Sequence, residues 1–255
     1  MQPILFTIGD LAISSHGFFF LAGLLAGLLV LQHEARRRRW TKNEVVPITL
    51  AATAGGFIGA RLSLLLFHGI ETAPVVLDFF RLFDPRIGPG SILGAVAGAY
   101  IGGAIAGRAI GQSGCACDAF APAMALAMAV GRIGDFLSGE DGLGQPTTLP
   151  WGVRLPGADA PVHPAPLYDA GFDLIWFGVL ILLRDHPRLQ GGNLLKFGLA
   201  GYAIFRFFIE FVRNNRVLAF GLTGQQYFCV ALLAVLGLYV ARGRRLGRLS
   251  ISAQA

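Results

Sequence analysis

The sequence predicts an all-α membrane protein that crosses the bilayer seven times. Of its 255 residues, 54% are hydrophobic and only 14% are charged, whereas charged residues make up about 25% of an ordinary soluble domain. The apolar residues are gathered into runs of about 20, the length that an α-helix needs to cross the hydrocarbon core. These observations exclude a soluble enzyme with one core, a disordered chain and a small disulfide scaffold.

The seven predicted transmembrane helices belong to a single integral membrane domain that covers residues 1–255. Each is an apolar run of the length that spans a bilayer. In chain order they lie at about residues 11–31, 46–67, 88–107, 119–138, 166–183, 194–213 and 221–241.

The distribution of basic residues predicts the orientation. If the side that follows the first span is cytoplasmic, twelve of the 21 Lys and Arg residues lie inside. The five on the outer side are Arg81, Arg86, Arg154, Arg213 and Arg216. Because cytoplasmic loops are enriched in positive charge, we expect the N-terminus outside and the C-terminus in the cytoplasm. The same bias accounts for the net charge of +6 without a nucleic-acid partner.

Two outer segments are predicted to be structured. In residues 74–84 the apolar side chains recur at helical spacing, which predicts an amphipathic helix that lies in the outer interface. Residues 139–165 contain too much Gly and Pro for a long helix. Their apolar anchors Leu149, Trp151 and Leu155 predict a folded periplasmic cap rather than a linker.

Three arginines inside the predicted spans, Arg61, Arg132 and Arg206, are the main chemical signal in the sequence. A charged side chain at the bilayer centre costs at least about 2.5 kcal/mol, so each arginine needs a partner or an aqueous cavity. With a rise of about 1.5 Å per residue, all three fall in the outer third of the membrane. His16, near the outer end of the first span, falls in the same layer.

Acidic residues accompany two of these arginines. Arg206 and Glu210 are i,i+4 neighbours, with Tyr202 one turn earlier. Arg132 and Asp135 are i,i+3 neighbours, a spacing that brings side chains together on a helix. Guanidinium groups bind phosphate well, so we predict a cavity that holds a lipid phosphate. Two alternatives stay open: arginines that extend to the outer headgroups, and a purely structural ion-pair network.

Other kinds of site lack their sequence signatures. The three cysteines, Cys115, Cys117 and Cys229, do not have the spacing of zinc ligands. There is no H-E-x-x-H metal motif and no G-x-S-x-G nucleophile motif. We therefore predict no metal and no organic cofactor. Glycines at four-residue spacing predict close packing of helices and no chemistry.

Several sequence blocks follow one another along residues 5–240. They are WTKNE at 40–44, GARL at 59–62, GRIGDFLSGE at 131–140, GQPTTLPWGV at 144–153, HPAPLYD at 163–169 and GYAIFRFFIEFVR at 201–213. The third is similar to a G-R-x-G-N-F-x-N-x-E signature, the fifth to H-P-x-Q-L-Y-E and the last to an R-x-x-x-E-x-x-R helix. In this order they resemble the bacterial prolipoprotein diacylglyceryl transferases.

The resemblance implies an activity. Members of that family transfer the diacylglyceryl group of phosphatidylglycerol to the thiol of a lipobox cysteine in a prolipoprotein signal peptide, and glycerol phosphate leaves. The resemblance therefore implies a bacterial cytoplasmic membrane enzyme. Its implied partners are phosphatidylglycerol, prolipoprotein signal peptides and the lipid bilayer.

The candidate catalytic residues are Arg132, Arg206, Glu210 and His16. We predict that Arg132 and Arg206 bind the phosphate and stabilise the charge of the leaving group, while Glu210 orients them. The predicted substrate-binding residues are Arg61, Asp135, Glu140, Gly144, His163, Tyr168 and Tyr202. Of these, Asp135 also orients the arginines, the two tyrosines bind headgroup oxygens, and Glu140 and Gly144 shape the cap.

The chain departs from the family pattern at several positions. Leu93 stands where the family has the histidine of an H-G-G motif, and Asp135 stands where it has an asparagine. His16 replaces a tyrosine of the first span. If the missing histidine is the general base, His16 and Asp135 are the two candidates to replace it.

These departures leave two other functions open. One is a divergent paralogue that binds phospholipid or signal peptide, or uses another acceptor, without the standard transfer. The other is an anion transporter or channel. It is disfavoured because the third and seventh predicted spans contain no Asp, Glu, Lys, Arg or His, and because the buried arginines occupy one layer of the membrane.

Overall fold

The computed structural model describes residues 2–9, 11–68, 92–111, 117–139, 143–154 and 159–245. Within these ranges lie seven α-helices of 17 to 27 residues: α1 (Ser15–Arg37), α2 (Lys42–His68), α3 (Ile92–Ala109), α4 (Cys117–Ser138), α5 (Ala165–Leu183), α6 (Asn193–Ile209) and α7 (Gly224–Arg245). Short 3₁₀ turns lie at Pro187–Leu189, Glu210–Val212 and Ala219–Gly221.

Five of the described helices are long and apolar enough to cross a membrane. They are Ser15–Arg37, Lys42–Leu62, Cys117–Ser138, Ala165–Leu183 and Gly224–Arg242. The prediction of a helical, multi-pass membrane protein is therefore confirmed. The number of seven spans stays a prediction, because α3 and α6, with 18 and 17 residues, are not among the five.

The N-terminal residues differ from the prediction, which began the first transmembrane helix at residue 11. Ile4–Ile8 (β1) and Leu11–Ser14 (β2) form an antiparallel hairpin, and α1 begins only at Ser15. The loop contains Gly9 at a φ of 59°, a left-handed conformation that glycine adopts without strain. A glycine-aspartate pair between two β-prone runs is a hairpin signal, so the helix prediction was wrong here.

The hairpin is anchored to the helices that follow it. The backbone N–H of Ser15 donates to the carbonyl of Pro3 at 2.8 Å, and Ser15 is fully buried. The backbone N–H of Gln2 donates to the carbonyl of Leu137, near the end of α4, also at 2.8 Å. The first turn of α1, which contains His16, is thereby held beside the last turn of α4.

The chain forms two compact units. One comprises Met1–Leu31 and Phe120–Ala255, and the other comprises Gln32–Ala119. The first unit contains most of α1 and α4 together with α5, α6 and α7, and the second contains α2 and α3. The prediction of a single membrane domain stays a prediction.

In the second unit, glycines allow α2 and α3 to cross with their backbones in contact. A Cβ atom added at Gly55 would collide with the carbonyl oxygen of Gly98, and one at Gly98 would collide with that of Gly55. Gly59 and Gly102 are equally restricted. This is the close approach that small residues permit in a bilayer, as the four-residue spacing predicted.

In the first unit, small residues bring α1 against α4. A Cβ atom at Gly23 would lie 2.6 Å from the carbonyl oxygen of Ala127, and one at Gly27 would lie 3.0 Å from that of Ala123. Gly134, one residue before Asp135, lies against Phe19 of α1, where an added Cβ would be 2.7 Å from the phenylalanine Cβ. This packing fixes the face of α4 that presents Asp135 to α1.

Aromatic side chains join α5 to α6. The rings of Phe172 and Phe205 stack with centroids 3.9 Å apart and an interplanar angle of 1°. The indole Nε1 of Trp176 donates to the carbonyl oxygen of Gly198 at 3.0 Å, and its ring packs directly on Gly201. Because Phe205 precedes Arg206 and Phe172 precedes Asp173, these contacts set the register of the polar residues described below.

The segment between α4 and α5 is folded through backbone hydrogen bonds. Val153 and Val162 exchange both N–H···O bonds at 2.9 Å. The N–H of His163 donates to Gln145, and the N–H of Gln145 donates to Val212 in the 3₁₀ turn after α6, at 3.0 and 2.8 Å. The described part of the predicted cap, 143–154 and 159–164, is therefore attached to the end of α6. The predicted amphipathic helix at 74–84 lies outside the described residues.

Replacing Gly98 by alanine is expected to destabilise the α2–α3 pair, because the new methyl group would collide with the backbone of Gly55. We expect a loss of about 1–3 kcal/mol in the free energy of unfolding, the usual cost of overpacking. Gly103→Ala is the matched control, since a methyl group there meets the Ala52 side chain at an ordinary 3.6 Å. Thermal unfolding in detergent measures both variants, and equal midpoints would contradict the close crossing.

Candidate functional site

A cluster of charged side chains in the first unit is centred on Asp169 of α5, which is 3% exposed. Its Oδ2 atom lies 2.6 Å from Nη1 of Arg213 and 3.4 Å from Nη1 of Arg206. The Nε atom of Arg132 lies 3.6 Å from the same oxygen. Three guanidinium groups from separate parts of the chain therefore converge on one carboxylate oxygen.

Helix geometry explains how these arginines reach one point. Arg206 and Arg213 are seven residues apart, close to two helical turns, and so lie on one face. The 3₁₀ turn at Glu210–Val212 continues α6 between them, with the N–H of Arg213 bonded to the carbonyl of Glu210 at 3.2 Å. Arg132 enters from α4. All three arginines are buried, at 7–8% exposure.

Two further carboxylates bind the outer nitrogens of these arginines. Asp135 Oδ2 accepts from Arg132 Nη1 at 3.0 Å, and Glu210 Oε2 lies 3.0 Å from Arg206 Nη2. The other oxygen of Glu210 accepts from Thr223 Oγ1 at 2.8 Å and from Asn215 Nδ2 at 2.7 Å. These bonds hold the guanidinium planes in fixed orientations.

The start of α7 is built to hold Glu210. Thr223 and Gln226 form a reciprocal capping box, with the N–H of Thr223 bonded to Gln226 Oε1 at 2.9 Å and the N–H of Gln226 bonded to Thr223 Oγ1 at 3.4 Å. The Gln226 Nε2 group also donates to the carbonyl of Phe207 at 3.2 Å. This capping box thus places the Thr223 hydroxyl against Glu210, and the bond from Gln226 connects α7 to α6.

His16 lies at the edge of the cluster. Its Nδ1 atom is 2.9 Å from Oδ1 of Asp135, and both side chains are 27% exposed. Its ring stacks on Phe20 one turn later, with centroids 6.4 Å apart. Because α1 begins at Ser15, His16 lies in the first turn of the helix, and not five residues into a span as predicted.

Several buried polar atoms of the cluster have no hydrogen-bond partner among the described residues. They include two guanidinium N–H donors, Nε of Arg132 and Nε of Arg213, and both carboxylate oxygens of Asp173. A buried donor without an acceptor costs about 1–3 kcal/mol. Such atoms in a folded protein call for an explanation, and a bound ligand is one.

A second set of polar side chains precedes the charged cluster in the sequence. The Tyr168 hydroxyl accepts a hydrogen bond from Trp151 Nε1 at 2.7 Å and lies 3.4 Å from Nδ1 of His163. Gly144 packs on the backbone of His163 so closely that a Cβ atom there would collide with it. Tyr168 directly precedes Asp169, so the folded segment before α5 is connected to the charged cluster.

Six of the predicted site residues meet in or beside the charged cluster. They are His16, Arg132, Asp135, Tyr202, Arg206 and Glu210. Tyr202, one turn before Arg206, is 7% exposed and interacts electrostatically with Arg132 and Arg206. Gly144, His163 and Tyr168 form the neighbouring group. The roles of all these residues stay predictions.

The other predicted residues are placed elsewhere or are not described. Arg61 belongs to the second unit, where it is 7% exposed and its guanidinium lies 5.7 Å from the centre of the Phe57 ring. Glu140 lies outside the described residues. Leu93, which the family resemblance predicts to stand in place of a histidine, is the second residue of α3.

The sequence prediction missed three residues of the cluster: Asp169, Asp173 and Arg213. Arg213 was counted among the outer loop charges, but the structure buries it at 8% exposure against Asp169. One signal was present, since two acids four residues apart in an otherwise apolar helix need partners within the protein. The identity of those partners, 37 and 44 residues further along the chain, is not encoded in local spacing.

Comparison with known proteins identifies the family. The family model for prolipoprotein diacylglyceryl transferase matches residues 3–242. A phosphatidylglycerol–prolipoprotein diacylglyceryl transferase of Methylibium petroleiphilum is 32% identical over 261 residues, covering 96% of this chain and 97% of the relative. The protein of that name from Pseudoalteromonas atlantica is also 32% identical, covering 84% of this chain and 76% of the relative. The chain therefore belongs to the prolipoprotein diacylglyceryl transferase family.

Proposed function

We propose that this protein transfers the diacylglyceryl group of phosphatidylglycerol to the lipobox cysteine thiol of prolipoprotein signal peptides and releases glycerol phosphate. The names of its relatives support this substrate and this reaction. The observation that carries the proposal is the convergence of Arg132, Arg206 and Arg213 on one buried carboxylate oxygen.

The arginine cluster suits a phosphate group. Asp169 Oδ2 occupies the point at which three guanidinium groups meet, and a phosphate oxygen is an acceptor of the same charge. Two N–H donors of the cluster, Nε of Arg132 and Nε of Arg213, still lack a hydrogen-bond partner among the described residues. Asp169 thus keeps the arginines gathered while these donors are available to a lipid phosphate.

The same arrangement favours the chemical step. Cleavage of the bond between the glyceryl carbon and the phosphate oxygen leaves negative charge on glycerol phosphate. Arg132 and Arg206 are buried and held by Asp135, Asp169 and Glu210, so they need little reorganisation to stabilise that charge. Preorganised donors in a water-excluded site are commonly the largest contribution to catalysis.

The remaining predicted residues take supporting roles. Tyr202 and Tyr168 hydrogen-bond oxygens of the lipid headgroup. Gly144 and His163 shape the folded segment that precedes α5.

We further propose seven spans in the bacterial cytoplasmic membrane, with the N-terminus outside, the C-terminus inside and residues 139–165 forming a periplasmic cap. Each predicted span overlaps one of the helices α1 to α7, which supports the proposal. An outer location of the charged cluster would give it access to phospholipid in the outer leaflet and to signal peptides of exported proteins.

This orientation is testable with single cysteines at exposed aspartates. In intact spheroplasts, a membrane-impermeant maleimide is expected to label Asp159→Cys but not Asp185→Cys, above the background of the unsubstituted chain. Disruption of the membrane should expose the second site and serves as the control. Labelling of Asp185→Cys in intact spheroplasts would contradict the orientation.

One observation favours a second candidate function. The resemblance implies that Leu93, at the start of α3, stands in place of the family histidine, and a side chain without a titratable group cannot accept the thiol proton. A divergent paralogue would bind phospholipid or signal peptide without transferring the diacylglyceryl group.

An assay in vesicles separates the two functions. We expect the wild-type protein, reconstituted with phosphatidylglycerol and a lipobox peptide, to form a diacylglyceryl adduct on the cysteine, detected by mass spectrometry. A relative with the histidine is the positive control. Absence of the adduct beside a working relative would favour the paralogue, and restored transfer in Leu93→His would then identify the lost histidine as the reason.

Replacing Arg206 by alanine tests the site itself. We expect transfer to fall by about 100-fold or more, the usual effect of removing a donor that stabilises developing charge. Membrane insertion should be retained. Arg188→Ala, an exposed arginine in the 3₁₀ turn before α6, is the matched control. Wild-type transfer by Arg206→Ala would refute the site assignment.

A further inference from the structure

Asp173 stands apart from the other acids of the cluster. It lies on α5 one turn after Asp169 and is 1% exposed. Both of its carboxylate oxygens are buried and have no hydrogen-bond partner among the described residues. Burying an ionised carboxylate is costly unless opposite charges or hydrogen bonds compensate for the lost hydration.

The neighbouring acids are all engaged. Asp135 binds His16 through Oδ1 and Arg132 through Oδ2, and Asp169 binds the arginines. Glu210 binds Thr223 and Asn215, with Arg206 at 3.0 Å. Releasing any of them for proton transfer would break contacts that hold the arginines, whereas Asp173 makes no hydrogen bond to the arginines within the described part of the chain.

The surroundings of Asp173 act on its charge in opposite directions. Arg132 of α4 and Arg206 of α6 carry positive charge close to Asp173, and Asp169 of α5 carries negative charge. Tyr202, also of α6, lies in electrostatic range as well. A general base must be ionised, and nearby guanidinium groups favour the ionised form of a carboxylate.

The position of Asp173 also fits the direction of the reaction. Displacement at the glyceryl carbon requires the attacking sulfur and the leaving phosphate oxygen on opposite sides of that carbon. The phosphate is held at the arginines around Asp169. Asp173 lies four residues further along α5, about 6 Å along the helix axis, so it offers an acceptor away from the phosphate.

We propose that Asp173 accepts the proton of the acceptor thiol as its sulfur attacks the lipid. This inference rests on the proposed transferase function. It assigns the role of general base to a residue other than His16 and Asp135. It also supplies a base to a chain in which the resemblance places Leu93 where the family has a histidine.

The S–H bond breaks and its proton moves to a carboxylate oxygen of Asp173, while the sulfur electron pair forms the C–S bond. The C–O bond to phosphate breaks, and its electron pair remains on the glycerol phosphate oxygen beside the arginines. The proton then passes from Asp173 to glycerol phosphate, which regenerates the carboxylate without a further reactant.

A pair of acceptor peptides tests this role. A cysteine thiol has a pKa of about 8.5 and is mostly protonated at neutral pH, whereas the selenol of a selenocysteine peptide is already ionised. At pH 7, we expect Asp173→Asn to transfer to the cysteine peptide at least about 100-fold more slowly than wild type, the range of general base catalysis. Transfer to the selenocysteine peptide should stay near the wild-type rate.

The pH dependence supplies a second readout. With the cysteine peptide, Asp173→Asn should gain about tenfold per pH unit up to the thiol pKa near 8.5, because only the thiolate then reacts. Wild type should depend less steeply on pH. Asp173→Glu, which keeps a carboxylate, should retain part of the activity, and Asp185→Asn, an exposed acid beyond α5, is the matched control.

The results would distinguish a failure of this inference from a failure of the proposed function. Equal loss with both peptides, as a structural role or misfolding would produce, would overturn the inference, as would the selective loss in His16→Phe instead of Asp173→Asn. A wild-type protein that modifies neither peptide would refute the proposed function, and the inference with it. Normal wild-type transfer together with an unaffected Asp173→Asn would refute the inference alone.

Discussion

The attraction of three arginines to one oxygen of Asp169 is the constraint on which the first unit depends. Arg132, Arg206 and Arg213 come from α4, α6 and the turn that follows α6. Bringing them together requires those elements to meet α5 at one depth. Stacking of Phe172 on Phe205 fixes the register of α5 against α6. The glycines between α1 and α4 fix the register of that pair in the same way, so that the charged side chains meet.

Stability alone does not explain such a network. Buried ion pairs are often no better than well-packed apolar residues, because desolvation offsets the Coulombic attraction. Here the arrangement also leaves buried N–H donors and a carboxylate without hydrogen-bond partners in the described part of the chain. Selection for stability alone would replace such groups. The proposed binding of an anion and transfer of a proton would explain why the N–H donors and the carboxylate are present.

The sequence predicts local contacts of this site and misses its centre. The pairs Arg132–Asp135 and Arg206–Glu210 follow from helical spacing, and the predicted span 166–183 nearly matches α5, Ala165–Leu183. Asp169 meets arginines up to 44 residues away, and no periodicity encodes such a pair. The N-terminal hairpin was missed because its apolar residues were assigned to the first span, although its glycine-aspartate turn was visible.

The presence of Leu93 concerns proton transfer and not phosphate binding. In the proposed reaction the leaving phosphate is held by arginines of α4, α6 and the turn after α6, whereas Leu93 lies on α3, in the other compact unit. The described ion pairs of the arginine cluster are made by residues of the first unit. Proton transfer requires an acceptor within reach of the sulfur, and Asp173 would be that acceptor in the proposed mechanism. In the proposed mechanism, a chain without the family histidine therefore keeps the electrostatic part of the site.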